Sequence, residues 1–220
     1  MKAICAYLRH LAPVLLGLTV AGCSSLLHSN VPLVQIYTLR APSASEAGTA
    51  GIDQTAASGS ASASVRVAHP RAAPGLETAQ IVLLQPDHRL DVYAASAWAA
   101  EAPALLESLA VATLRGSGQW RSVQDAESPF PSDYLLQISI AHFDADYSDD
   151  TGAPPTVRVT LDCTLGKAQG RDIITTFVAS GTAVAGANRL GEVVAAFQQA
   201  TDAAMTSLSQ QAAAATRPPG

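Results

Sequence analysis

The sequence is poor in cysteine, aromatic residues and charge, and each shortage narrows what it can be. Of its 220 residues, 5% are aromatic and 14% charged, against 48% hydrophobic. Three cysteines are too few for a disulfide framework, so packing must hold the fold. No apolar run reaches the roughly 20 residues that a membrane-spanning helix needs. A formal charge of -5 provides no basic surface for nucleic acid or anionic lipid. C-x-x-C, Walker, Rossmann and G-x-S-x-G patterns are also missing, so no common catalytic or cofactor motif marks the chain.

What is present starts at the amino end. Lys2 and Arg9 precede an apolar run from Leu11 to Val20, the length of a signal-peptide core. Val20-Ala21-Gly22-Cys23 follows, a lipobox: small side chains fit a signal peptidase, and the Cys23 thiol takes a diacylglyceryl group. Residues 1–22 are thus expected to be a lipoprotein signal peptide and 23–33 a lipid-anchored tether. Loss of the signal takes the formal charge from -5 to -7 and removes Cys5, leaving Cys163 without a partner. Several acyl chains hold a protein firmly where one does not, so no transmembrane helix is needed. Ser24 stands where aspartate would signal inner-membrane retention, which makes the periplasmic face of the outer membrane the expected location.

Hydrophobic periodicity predicts one domain over 34–210 and a disordered tail over 211–220. Val34 to Leu39 reads as a strand, and 41–64 as an Ala/Ser/Gly-rich flexible insertion. Val65 to Ala68 is a short strand, Pro70 to Gly75 a turn, and Ile81 to Leu84 pairs with Arg89 to Tyr93 across Pro86-Asp87-His88. A helix starts near Pro103 and stops at Gly116 and Gly118. Trp120 to Val123, Leu136 to Ile140, Val157 to Leu165 and Ile173 to Val178 read as strands, and Leu190 to Leu208 as a second helix. The expectation is an α+β fold, an antiparallel or mixed sheet of about seven to eight strands with two helices packed on one face.

Chemistry is sparse. His28, His69, His88 and His142 lack metal-ligand spacing and read as loop or surface residues. Asp144, Asp146, Asp149 and Asp150 fail as an EF-hand: its sixth and twelfth positions would be Asp149 and Pro155. The cluster reads as a solvated hairpin connection, and no metal or other cofactor is expected. Cys163 lies on the apolar face of its strand as a buried thiol. Tyr93, Trp98 and Trp120 are the candidate core or partner anchors, with Trp98 assigned to the core. A hydrolase would need Ser117 and His142 to converge from distant loops.

The order of several segments resembles the ABC-type transport auxiliary lipoproteins, the PqiC-like family. Tyr37-Thr38-Leu39, Val65-Arg66-Val67 with Pro70-Arg71, and Leu76 with Ile81 open the series. Its most distinctive part is Arg89-Leu90-Asp91-Val92-Tyr93, Trp98-Ala99, Pro103-Ala104-Leu105-Leu106, then Ser117-Gly118 and Trp120. Asp133-Tyr134-Leu135-Leu136 and Pro155-Thr156-Val157-Arg158-Val159 continue it, while the insertion at 41–64 departs from it and leaves the pairing of the first strand open. The resemblance implies a non-catalytic component of an MCE-type phospholipid transporter. Its partners would be an MCE-domain periplasmic protein and that system's ABC permease and ATPase, with no active-site residues to carry over. A homo-oligomeric ring is compatible with exposed strand edges. The alternative is a pilot or assembly lipoprotein of another outer-membrane complex.

Overall fold

The computed structural model describes residues 33–42, 62–147, 152–170 and 172–217. The signal, the lipobox and Cys23, His28, residues 43–61 of the 41–64 insertion, Asp149, Asp150 and the last three residues lie outside them. Among the described residues nine strands and two helices follow in chain order: β1 Gln35–Tyr37, β2 Ser64–Val67, β3 Arg71–Ala72, β4 Gln80–Leu84, β5 Leu90–Trp98, α1 Ala102–Gly116, β6 Ser122–Gln124, β7 Tyr134–Asp146, β8 Thr156–Lys167, β9 Ile173–Val184 and α2 Leu190–Ala215.

β7 organises the single mixed sheet. On one edge it pairs antiparallel with β8, which pairs antiparallel with β9. Along its other edge β2, β3 and β4 follow one another, all parallel to it. Beyond these lie β6, parallel to β2, and β5, antiparallel to β4, with β1 parallel to β5. The fold is α+β as expected, with nine strands rather than seven to eight. Pro70 to Gly75, expected as a turn, contains β3, because the backbone of Arg71 and Ala72 finds partners at Ser139 and Ile140.

The first strand settles beside β5, Tyr37 opposite Trp98. Gln198 of α2 locks it there: its amide donates to the Arg40 carbonyl at 2.8 Å and accepts from the Arg40 N–H at 2.9 Å. The side chain thus acts as a substitute peptide group for a segment without a neighbouring strand.

Period-2 patterning makes the core. Val157, Val159, Leu161, Cys163 and Leu165 alternate on β8 and all are buried, as their spacing requires. Both helices cover this face. Pro103 sits in the first turn of α1, where it interrupts no intrahelical bond, and Gly118 takes a left-handed φ of 64° just beyond the end. α2 continues past Leu208 to Ala215, so the helix includes the start of the segment expected as tail. Ala212 and Ala213 are buried on it, and apolar contact overrides the low-complexity appearance of that alanine run.

Candidate docking surface

Trp98 forms the centre of the core. Its ring lies 5.5 Å from Phe143 and 5.1 Å from Phe197, which are themselves 5.1 Å apart, so strand, sheet spine and α2 meet in one aromatic triangle. Trp120 is also buried, edge-on to Tyr134 at 6.0 Å, and serves packing rather than a partner.

Tyr93 is placed by an irregularity that the sequence does not announce. Val82 pairs with Val92 and Gln80 with Ala97, so the single residue Ile81 faces the stretch Tyr93 to Ser96. Ala95 accommodates this bulge at a left-handed φ of 51°, and the Ser96 hydroxyl closes it on the Tyr93 carbonyl at 2.9 Å. Tyr147 donates its hydroxyl to Asn188 Oδ1 at 2.6 Å, so Tyr93, 2.8 Å away, donates to Tyr147. Burial, then the Tyr147 hydroxyl, push the Tyr93 phenol well above its ordinary pKa. The chain pins β5, the end of β7 and the loop before α2 together.

The acidic cluster is corrected by the structure. Asp144 and Asp146 belong to β7 and not to a solvated connection, and the Asp144 side chain is only 4% exposed. Arg158, opposite on β8, bridges Asp144 at 2.9 Å and Asp146 at 3.1 Å, while His142 meets the other Asp144 oxygen at 3.2 Å. An arginine fork between two carboxylates leaves no room for a cation; the set is a strand-locking ion pair on the helix-free face.

The other described histidines are likewise engaged or exposed: His69 bonds Glu107 at 2.8 Å, and His88 holds the β4–β5 turn at a φ of 63°. Ser117 donates to the Leu114 carbonyl at the Tyr134 end of the sheet, far along β7 from His142. Sequence separation is not undone by folding here. Asp133 is held below the ordinary carboxylate value by hydrogen bonds from the Ser64 hydroxyl and N–H and by the charge of Arg121.

Burial pushes the Cys163 thiol up to about 12 from 9.0. In a chain carrying Cys5→Ser and Cys23→Ser, a thiol reagent at pH 8 should label native protein barely and unfolded protein fully. Because the folded value is raised, the neutral thiol's contribution to stability is complete below pH 9.0 and is lost as pH rises towards about 12. Cys163→Ala should flatten that part of a pH–unfolding curve.

Two features remain that suit a partner. On the helix-free face a groove of about 430 Å³ runs between Gly75, Glu77, Gln80, Val82, Leu90 and Val92. The second feature is β9, an edge strand among the described residues. Every even-numbered residue from Ile174 to Val184 is exposed, including Val178 at 55% and Val184 at 66%. Backbone groups alternate in an antiparallel ladder, so those residues also direct their N–H and C=O away from β8. Gln211 of α2 donates to the Val178 carbonyl from this side, and the Ala185 N–H bonds inward to Pro155. Sheets usually protect such an edge with lysine, proline or a bulge. Ile173 to Val184 contains no charge and no proline, and its one register shift falls at Ile174, at the start of the strand. The sequence offered only a strand from Ile173 to Val178; its extension to Val184 and its place at the edge are decided by the structure.

Comparison with known proteins places this arrangement. A crystallised protein of Xanthomonas campestris is 24% identical, with a TM-score of 0.63 over 70% of this chain and 85% of its own. A second crystal structure, of an uncharacterised protein, has 15% identity and a TM-score of 0.57 over 81% of this chain and 98% of its own. At these identities the likeness is one of fold. No curated protein matches. The model of the ABC-type transport auxiliary lipoprotein component matches residues 37–213, from the last residue of β1 to the last turn of α2. The chain belongs to that family of auxiliary lipoproteins of ABC-type transport.

Proposed function

We propose that the protein is a non-catalytic, lipid-anchored periplasmic component of an MCE/ABC-type phospholipid transport system, held by acylated Cys23 at the outer membrane. There it docks the MCE-domain protein that leads to the permease and ATPase. The observation that carries this reading is the uncharged, open edge β9 on a chain of this family. Apart from the Val178 carbonyl, which Gln211 occupies, its outward backbone groups are open to another strand among the described residues, which suits contact with the transporter or with a second copy in a homo-oligomer. Its chemistry suits adhesion: buried aromatics and an internal ion pair stiffen the domain and leave its outer edge available. Anchoring then raises the effective concentration of domain and partner at the membrane.

The test is recovery of the native lipoprotein from gently solubilised membranes, with Cys23→Ala as control, and identification of the proteins that come with it. Enrichment of an MCE-domain protein, permease and ATPase supports the reading. Recovery of a different outer-membrane assembly, with those three detectable in the input, replaces it with the pilot role.

A further inference from the structure

β9 is complementary to itself. An antiparallel neighbour matches residues about a fixed point, so the side chains that would meet across the edge can be read from the strand. With a two-fold axis beside Ala179, two copies of β9 set Ile174 against Val184, Thr176 against Thr182 and Val178 against Ser180. All six are exposed, and all six direct their backbone groups outward. Apolar side chains meet at the ends and threonines meet inside, pairings that stabilise neighbouring strands. An axis at Val178 would instead place Ile174 on Thr182 and Val184 on Asp172. One at Ser180 would place Val184 on Thr176 and Val178 on Thr182. The register shift at Ile174 touches only the outermost pair, and the strand holds no charge to repel its copy.

The helix beside the edge meets the second requirement. Joined strands lie about 4.8 Å apart, and matched residues share a face of the joined sheet, so a second copy brings its own α2 close alongside, running the opposite way. Gln211 beside the Val178 carbonyl and Ala203 above Gly181 place the intervening part of α2 near that axis. The exposed residues there are Ala203, Thr206, Gln210 and Ala214, mostly small, and no charge occurs from Ala203 to Ala215. Strand and helix thus present a neutral side to the same neighbour.

We propose that β9 is the seam of a two-fold dimer, pairing antiparallel with β9 of a second copy about Ala179 and joining two sheets into one. The inference rests on the open-edge reading above and names the partner at that edge. Gln211 covers the Val178 carbonyl in the single chain and gives way to the Ser180 N–H of the second copy.

The experiment measures the mass of the full mature lipoprotein in detergent by sedimentation. The wild type should be a dimer. Ser180→Lys should weaken association roughly tenfold or more by setting two ammonium groups in the seam, with an unchanged Tm for the dilute chain. Gln211→Ala should associate at least as tightly as the wild type. Register is read by mixing Thr176→Cys and Thr182→Cys chains under mild oxidation, since facing Cα atoms about 5.5 Å apart suit a disulfide. The mixture should cross-link and neither chain alone should; Cys163 is buried and does not compete. Cross-linking of either variant with itself overturns the register. A wild type that stays monomeric at about 100 μM, where a micromolar dimer would be filled, overturns the seam. If that monomer recovers the MCE-domain protein, permease and ATPase and Ser180→Lys loses them, the edge belongs to the transporter and the transport reading stands. A dimer with the expected cross-link that recovers no transport component keeps the seam and removes the reading beneath it.

Discussion

Replacing Gly181 by alanine is expected to lower stability by about 3 kcal/mol, the upper part of the range for overpacking, and Tm by roughly 10 °C. Gly181 lies on β9 opposite Val159, where α2 crosses the sheet. A Cβ there would stand 2.0 Å from the Ala200 carbonyl oxygen and 2.8 Å from the Ala203 methyl. The first neighbour is helix backbone, which cannot rotate away as a side chain can. The whole helix must lift, and with it Phe197, Ala204 and Leu208, all fully buried. Adding Ala203→Gly removes the methyl contact but not the backbone one, so it should not restore the loss. Thermal unfolding of the wild type and both variants checks this, and full rescue by the second change would show that the backbone contact is unimportant.

Trp98→Ala should cost about 3–5 kcal/mol, the usual penalty for emptying an aromatic site in a core. The indole is 2% exposed and touches Phe143 and Phe197, so its removal opens a void bordered by stiff rings that cannot collapse into it. Trp98→Phe separates packing from polarity. The indole Nε1 is buried and finds no hydrogen-bond partner among the described residues. Phenylalanine loses contact area but also removes that desolvated N–H, so its cost should fall well below that of alanine. Denaturant unfolding in which the two variants lose equally would mean that the triangle is not the mechanical centre of the fold.

These two sites differ in how visible they were. Trp98 could be assigned to the core from its apolar surroundings, although the sequence did not show that it ends a strand. Gly181 carried no sequence signal at all, because the need for it comes from a helix that follows it in the chain and lies over it only in space. Asp144 shows the same limit. Four acids near one another read as a solvated turn until Arg158, on the neighbouring strand, is brought between two of them.

By itself the sequence determined the class of structure, the existence of the two helices, the buried face of β8 and the landmarks of the family. Each of these follows from periodicity or from residues close along the chain, where local geometry decides which side chains share a face. Only the tertiary structure decided that three short strands line up on one edge of β7, that a bulge aims Tyr93 at Tyr147, and that β9 is left open. Those outcomes depend on which backbone groups find partners far away in sequence, and alternation within a strand says nothing about its neighbours.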